Sequence, residues 1–217
     1  MMTNDHNKES VDARRQIAAA MIGFDNLEGV ALTSLETLIN NNPYVLNQAL
    51  TKVDIDFLKE HASGWQSSFG ILEGDALLHV AVKLETDFRG DFVRLLLKPK
   101  KVDGSPYANP NTHGAWGWLP AHIAGNKLDS VTGRLLIGIT DPKERDDKGK
   151  TFLAMIRDSA LASSASPEEV SAMGGEQGNC PEFFAAFTYS LKTPAASRPQ
   201  GRKNVLQPPM QILASQI

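Results

Sequence analysis

The chain has 217 residues, 41% hydrophobic and 22% charged, an ordinary globular balance that can bury a core in one or two domains. A formal net charge of −3 excludes a global field aimed at nucleic acid or at an anionic membrane. The single cysteine, Cys180, excludes an internal disulfide.

The polar N-terminus, MMTNDHNKES, lacks the basic-then-apolar order of a signal peptide. Residues 1–10 read as a frayed tail, and a cytosolic protein without a cleavable signal is expected. Val11–Phe24 carries Val11, Ile17, Ala18, Met21 and Ile22 at helical spacing. A second helix is expected over 32–41, capped by Thr33 or Ser34 and stopped by Asn42-Pro43. Asp54–His61 reads as a short helix, and the strand-like Phe69–Leu72 is too short to build a sheet. From Glu73 onward two helical stretches follow one another, set off by Gly, Pro and Asn clusters, and the pattern then starts again. Ser166-Pro167-Glu168-Glu169 is a helix start with a serine cap and proline at the first helical position. A further helix fits Pro181–Leu191. From Phe183 onward Lys192, Arg198, Arg202 and Lys203 stand without any acidic residue, so 193–217 reads as a flexible basic tail.

Three stretches align: GDALLHVAV (74–82), GWLPAHIAG (117–125) and GKTFLAMIR (149–157), their glycines 43 and 32 residues apart. Each begins with a glycine suited to positive φ. Pro120 suits a first helical turn and Thr151 can cap. Two of the three are followed by an apolar run, Phe92–Leu97 and Leu135–Ile137. These stretches resemble the ankyrin repeat, whose signature is G-x-T-P-L-H-x-A-A within about 33 residues. The copies are degenerate: Ala-Leu stands for Thr-Pro in the first, and Ala154 for histidine in the third.

The resemblance implies an all-α, ankyrin-like α-solenoid of about 3–5 helix-turn-helix repeats over residues 11–192, with degenerate terminal caps. It implies that His79 and His122 tie neighbouring turns together by hydrogen bonds. It implies a non-enzymatic monomer that binds another protein through its finger turns and the concave face of its inner helices. By analogy with short ankyrin proteins delivered into host cells by bacteria, the basic tail is compatible with an uncleaved secretion signal.

The partner-binding candidates follow from that face. Trp116 and Trp118 flank Gly117 at a finger tip, and tryptophan is enriched in interface hot spots. His113 lies on the same finger. Tyr107 belongs to an insertion, KPKKVDGSPYANP (98–110), and insertions in repeat proteins often map to the binding face. Lys83, Asn126, Lys127 and Arg157 follow the small-residue turns of the inner helices, and Lys150 follows the third glycine. The competing readings are local core for the tryptophans, a solvated loop for the insertion and solvated helix ends for the charges. The five histidines show no H-x-x-x-H, H-E-x-x-H or C-x-x-C spacing, so no metal and no cofactor is expected. The alternative function is a small cysteine-dependent enzyme, with Cys180 near a helix N-terminus as nucleophile. It would have to be built from residues 166–217, a short stretch for an independent catalytic core.

Overall fold

The computed structural model describes residues 3–24, 30–67 and 70–163. Met1–Asn179 form one compact unit, and the other, Cys180–Ile217, lies outside the described residues. So do the helix start at Ser166, the helix at Pro181–Leu191, Cys180 and the basic tail.

The described residues are helical and contain no strand: α1 (Thr3–Ile22), α2 (Val30–Asn41), α3 (Lys52–His61), α4 (Leu77–Lys83), α5 (Arg89–Leu97), α6 (Pro120–Lys127), α7 (Ser130–Ile137) and α8 (Phe152–Ser163). α1 begins well before Val11, so the expected tail at residues 1–10 is helical from Thr3, with Ser10 buried. Apolar periodicity reports which face is buried, not where a helix starts, and no proline or glycine interrupts Thr3–Ser10. α2 begins at Val30, which places Thr33 and Ser34 inside the helix rather than at its cap. The Thr37 hydroxyl there bonds back to the Thr33 carbonyl at 2.9 Å. Among the described residues, which include 70–72 of the strand-like stretch, there is no ladder, and the isolated bridge is Lys100–Pro106.

Contacts run from α1 to α4 to α6 to α8, and separately from α2 to α5 to α7. Within each consecutive pair, α1 packs on α2, α4 on α5 and α6 on α7. The buried side chains follow helical spacing: Ile17 and Met21 in α1, Leu35 and Ile39 in α2, Phe92 and Leu96 in α5, Phe152 and Ile156 in α8. Such short helices are marginal alone, so their stability comes from these shared apolar faces. α6 and α8 approach closely at Gly125, where an added Cβ would stand 2.8 Å from the Ile156 side chain and 3.2 Å from the Phe152 carbonyl oxygen.

α3 packs against α1 rather than joining either run. Thr51 caps it in a reciprocal box with Asp54. The Asp54 carboxylate is fully buried and bonds Arg14 Nη2 at 2.5 Å and Arg15 Nε at 2.6 Å, both from α1. Arg14 also donates to the Ala49 carbonyl at 2.9 Å, so this cluster fixes the whole 48–61 segment to α1.

Loops at the far ends of the α2, α5 and α7 helices are stitched by asparagines. Asn47 donates to the Tyr107 carbonyl at 2.5 Å and accepts from the Asn109 N–H at 2.6 Å. Asn111 accepts from the Asp141 N–H at 2.8 Å. The 98–110 insertion is thereby an ordered turn, closed by Lys101 N–H to Ser105 O at 2.8 Å and Tyr107 N–H to Pro99 O at 2.9 Å.

Candidate functional site

The fingers precede α4, α6 and α8, and their glycines turn through positive φ: Gly74 at 95°, Gly117 at 66° and Gly149 at 75°. Two of them share one bonding pattern. Gly117 N–H donates to Gly114 O at 3.1 Å, as Gly149 N–H does to Asp146 O at 2.8 Å. Gly114 N–H donates to Trp118 O at 2.8 Å, as Asp146 N–H does to Lys150 O at 2.9 Å.

His79 and His122 join each helix to the next finger. The Nδ1 of His79 accepts from the Ala76 N–H at 3.1 Å, and its Nε2 donates to the Trp118 carbonyl at 2.8 Å. The Nδ1 of His122 accepts from the Leu119 N–H at 2.9 Å, and its Nε2 donates to the Lys150 carbonyl at 3.0 Å. A backbone N–H facing Nδ1 requires the neutral Nε2–H tautomer. Both rings are fully buried, and burial is the main reason that both pKa values lie below the ordinary 6.5. Each histidine caps its own helix and holds the next turn. Before α4 the same role falls to backbone alone: Leu50 N–H donates to Asp75 O at 2.8 Å and Leu50 O accepts from Gly74 N–H at 2.9 Å.

Trp116 is the tip of the second finger. It is 46% exposed and holds φ 58°, ψ 24°, a left-handed conformation that costs a non-glycine residue about 1–2 kcal/mol. Its ring meets Trp118 edge to face, with centroids 5.9 Å apart and planes at 67°. Its carbonyl accepts from the Asp147 N–H at 3.3 Å, which ties this finger to the following one. Gly117 is held by both constraints: beyond its φ, a Cβ there would overlap the Asp147 side chain, whereas one on Gly149 would meet nothing within 4 Å. Gly149→Ala should cost about 1 kcal/mol for backbone strain alone, and Gly117→Ala clearly more, about 2 kcal/mol. Thermal unfolding of the two variants side by side checks this; equal losses would mean Asp147 gives way freely.

The other candidate residues divide. Lys83, expected to project into an open groove, is 5% exposed. Its ammonium bonds Asp75 Oδ2 at 2.5 Å and the Gly70 carbonyl at 2.9 Å, with the Trp116 ring centroid 6.0 Å away. Lys127 reaches back to the Lys83 carbonyl at 2.8 Å, and burial of its ammonium lowers its pKa from the ordinary lysine value. Asn126 is exposed, and its Oδ1 accepts from the Ser159 hydroxyl at 3.5 Å. Lys150 and Arg157 converge on Asp158, at 2.9 Å and 3.0 Å. His113 is exposed and spans the Gly117 carbonyl at 2.9 Å and Glu144 at 3.2 Å. Tyr107 is docked through its backbone on Asn47, on the insertion rather than beside Trp116 in the finger. The partners missed from sequence are Asp75 and Asp158. Each stands eight residues from a lysine, Asp75 before Lys83 and Asp158 after Lys150. That spacing bridges a finger and its helix, and it was the available signal.

Among the described residues no three His, Cys, Asp or Glu side chains group so as to hold a metal, and no helix is long and apolar enough to cross a membrane. No family model matches the chain, and no curated protein matches it.

Proposed function

We propose that the chain is an ankyrin-like α-solenoid that binds another protein, without catalysis, through its finger tips and the exposed residues of α6 and α8, Asn126, Lys127 and Arg157; α4 is buried along its whole length. Support for the solenoid is the recurrence of one device: a positive-φ glycine, a histidine that caps its own helix and a bond from that histidine to the next finger. Ankyrin-like repeats use such stacking to extend a surface rather than to enclose a pocket.

The observation that carries the binding role is Trp116. A large aromatic side chain is half in solvent on a backbone that glycine would adopt without cost. Backbone strain of this kind persists where the surrounding structure enforces it and concentrates at functional sites. If Trp116 served only the fold, removing it should weaken the fold.

Trp116→Gly separates the two roles, because it removes the ring and the strain together. The expected result is a melting temperature unchanged or raised by a few degrees, matching at most about 1–2 kcal/mol of relieved strain less the packing of the lost ring. Affinity capture with the full chain should lose its specific partner in this variant and in Trp116→Ala/Trp118→Ala. A fall in stability with capture intact would return the indoles to a packing role.

A further inference from the structure

The second and third fingers close with the same two backbone bonds, yet their tips differ. Aligned on Gly117 and Gly149, Trp116 matches Lys148 and Gly114 matches Asp146. Trp116 is left-handed, at φ 58°, and Lys148 has no positive φ. The bonds of the finger therefore do not by themselves require a left-handed tip.

The carboxylate that serves each turn differs as well. In the third finger it is local: Asp146 Oδ1 accepts from the Lys148 N–H at 3.0 Å and from the Lys150 N–H at 2.7 Å. In the second finger Gly114 stands in that place. A Cβ there would lie 2.7 Å from the His79 ring and 2.9 Å from Asp75 Oδ1. The carboxylate comes instead from the preceding finger, where Asp75 Oδ1 accepts from the Ala115 N–H at 3.4 Å. Its other oxygen accepts from the Lys83 ammonium at 2.5 Å and from the Leu72 N–H at 2.8 Å. That ammonium in turn lies 6.0 Å from the Trp116 ring centroid. Resting on the reading of Trp116 as a contact residue, we infer that Asp75 and Lys83 are its positioning residues, so that the first finger sets how the second displays its indole.

A left-handed non-glycine residue persists where its surroundings over-determine it. From the third finger, the Asp147 N–H holds the Trp116 carbonyl at 3.3 Å, but a carbonyl bond alone does not place a ring. From the first finger, Asp75 fixes the N–H of the residue before Trp116, and Lys83 offers the ring a cation at the distance where such attraction acts. Both charges are buried, so water screens this attraction little. The Gly70 carbonyl, 2.9 Å from the same ammonium, helps to keep it in place.

The test is heteronuclear NMR of the full chain and of Asp75→Asn/Lys83→Met, which removes both charges at nearly constant volume and strands neither. The indole signal of Trp116 is assigned by its loss in Trp116→Gly. In the native chain Trp116 should show the amide-to-Hα coupling of a left-handed residue, and the Ala115 amide should be protected from hydrogen exchange. In the double variant, with helical circular dichroism kept, the Trp116 indole signal should move or split and the left-handed coupling should be lost. Ala115 should exchange at least about tenfold faster. Lys150→Met/Asp158→Asn, the matching pair at the third finger, should leave all three readings unchanged. An unmoved Trp116 in Asp75→Asn/Lys83→Met, or an equal shift in the third-finger control, would overturn the inference. So would an Ala115 amide that exchanges freely in the native chain, a reading that needs no variant to fold. None of these measurements involves a partner. Partner capture by Trp116→Gly at the native level would remove the interaction reading and leave the positioning role standing.

Discussion

Replacing Asp54 with alanine is expected to lower the stability of the chain by about 3–5 kcal/mol, the cost of removing one partner from a buried charge cluster. Its carboxylate is fully buried and takes bonds from Arg14, Arg15, the Thr51 hydroxyl and the Thr51 N–H. Loss of the carboxylate strands two guanidinium groups, one of them 7% exposed, and dissolves the cap of α3. Asp54→Asn should be nearly as damaging, since it keeps hydrogen bonding but not the charge. Thr51→Ala should cost only about 1 kcal/mol, the worth of a cap. Urea unfolding followed by circular dichroism ranks the three. A loss under about 1 kcal/mol for Asp54→Ala would mean that water reaches the cluster. The acid limb gives a second check. Burial alone would raise the Asp54 pKa, but the Thr51 bonds and the two arginines outweigh it and hold it below the ordinary 3.8. A depressed folded pKa gives stability that is complete above the unfolded value and lost as pH falls through the folded one, so this contribution begins to decline at about pH 3.8 and is gone only below the folded pKa.

The same cluster shows what sequence alone left hidden. Arg14 and Arg15 stand 40 and 39 residues from Asp54, and no local pattern links them. The helices were legible because their apolar spacing is a property of neighbouring residues. Val11–Ile22, 32–41 and 54–61 all fall on helices of the structure, with each helix beginning some residues earlier than expected and α1 ending two residues before Phe24. The finger glycines were legible because positive φ leaves few alternatives to glycine, and the exception, Trp116, could not be read from its residue type. Lys83 was placed in the groove because it follows the small-residue turn of an inner helix in the repeat that the stretch resembles. Its burial depends on Asp75, a carboxylate eight residues away whose effect becomes visible only once the finger folds back on α4. The Asn47 clamp on the insertion spans a still longer separation, 60 residues to Tyr107.

Removal of His79 is expected to cost about 2–5 kcal/mol, because alanine leaves the Trp118 carbonyl and the Ala76 N–H buried without their partners. The effect of acid follows from the same two bonds. A protonated ring would point an N–H at the Ala76 N–H, so the folded chain favours the neutral form. Burial chiefly lowers the His79 pKa against the opposing pull of Asp75, with Lys83 adding to the lowering. Burial likewise lowers that of His122, while Lys150 O, Asp146 and Glu144 pull upward and the charge of His113 pushes down. For a basic group with a depressed folded pKa, the unfolded chain takes up its proton first. Stability is then complete above the unfolded value of 6.5 and falls as pH drops from there toward the folded values. Denaturant midpoints measured from pH 8 to 5 should therefore decline through a region in which ordinary carboxylates are still ionised. His79→Gln, which lacks a titrating ring, should start less stable at pH 8 but show a shallower decline, and His122→Gln the same. A decline of undiminished slope in both variants would assign the acid sensitivity to other groups. A midpoint that rises with acid would mean that one or both rings are charged in the folded chain, with the bonds from the Ala76 or Leu119 N–H to Nδ1 broken.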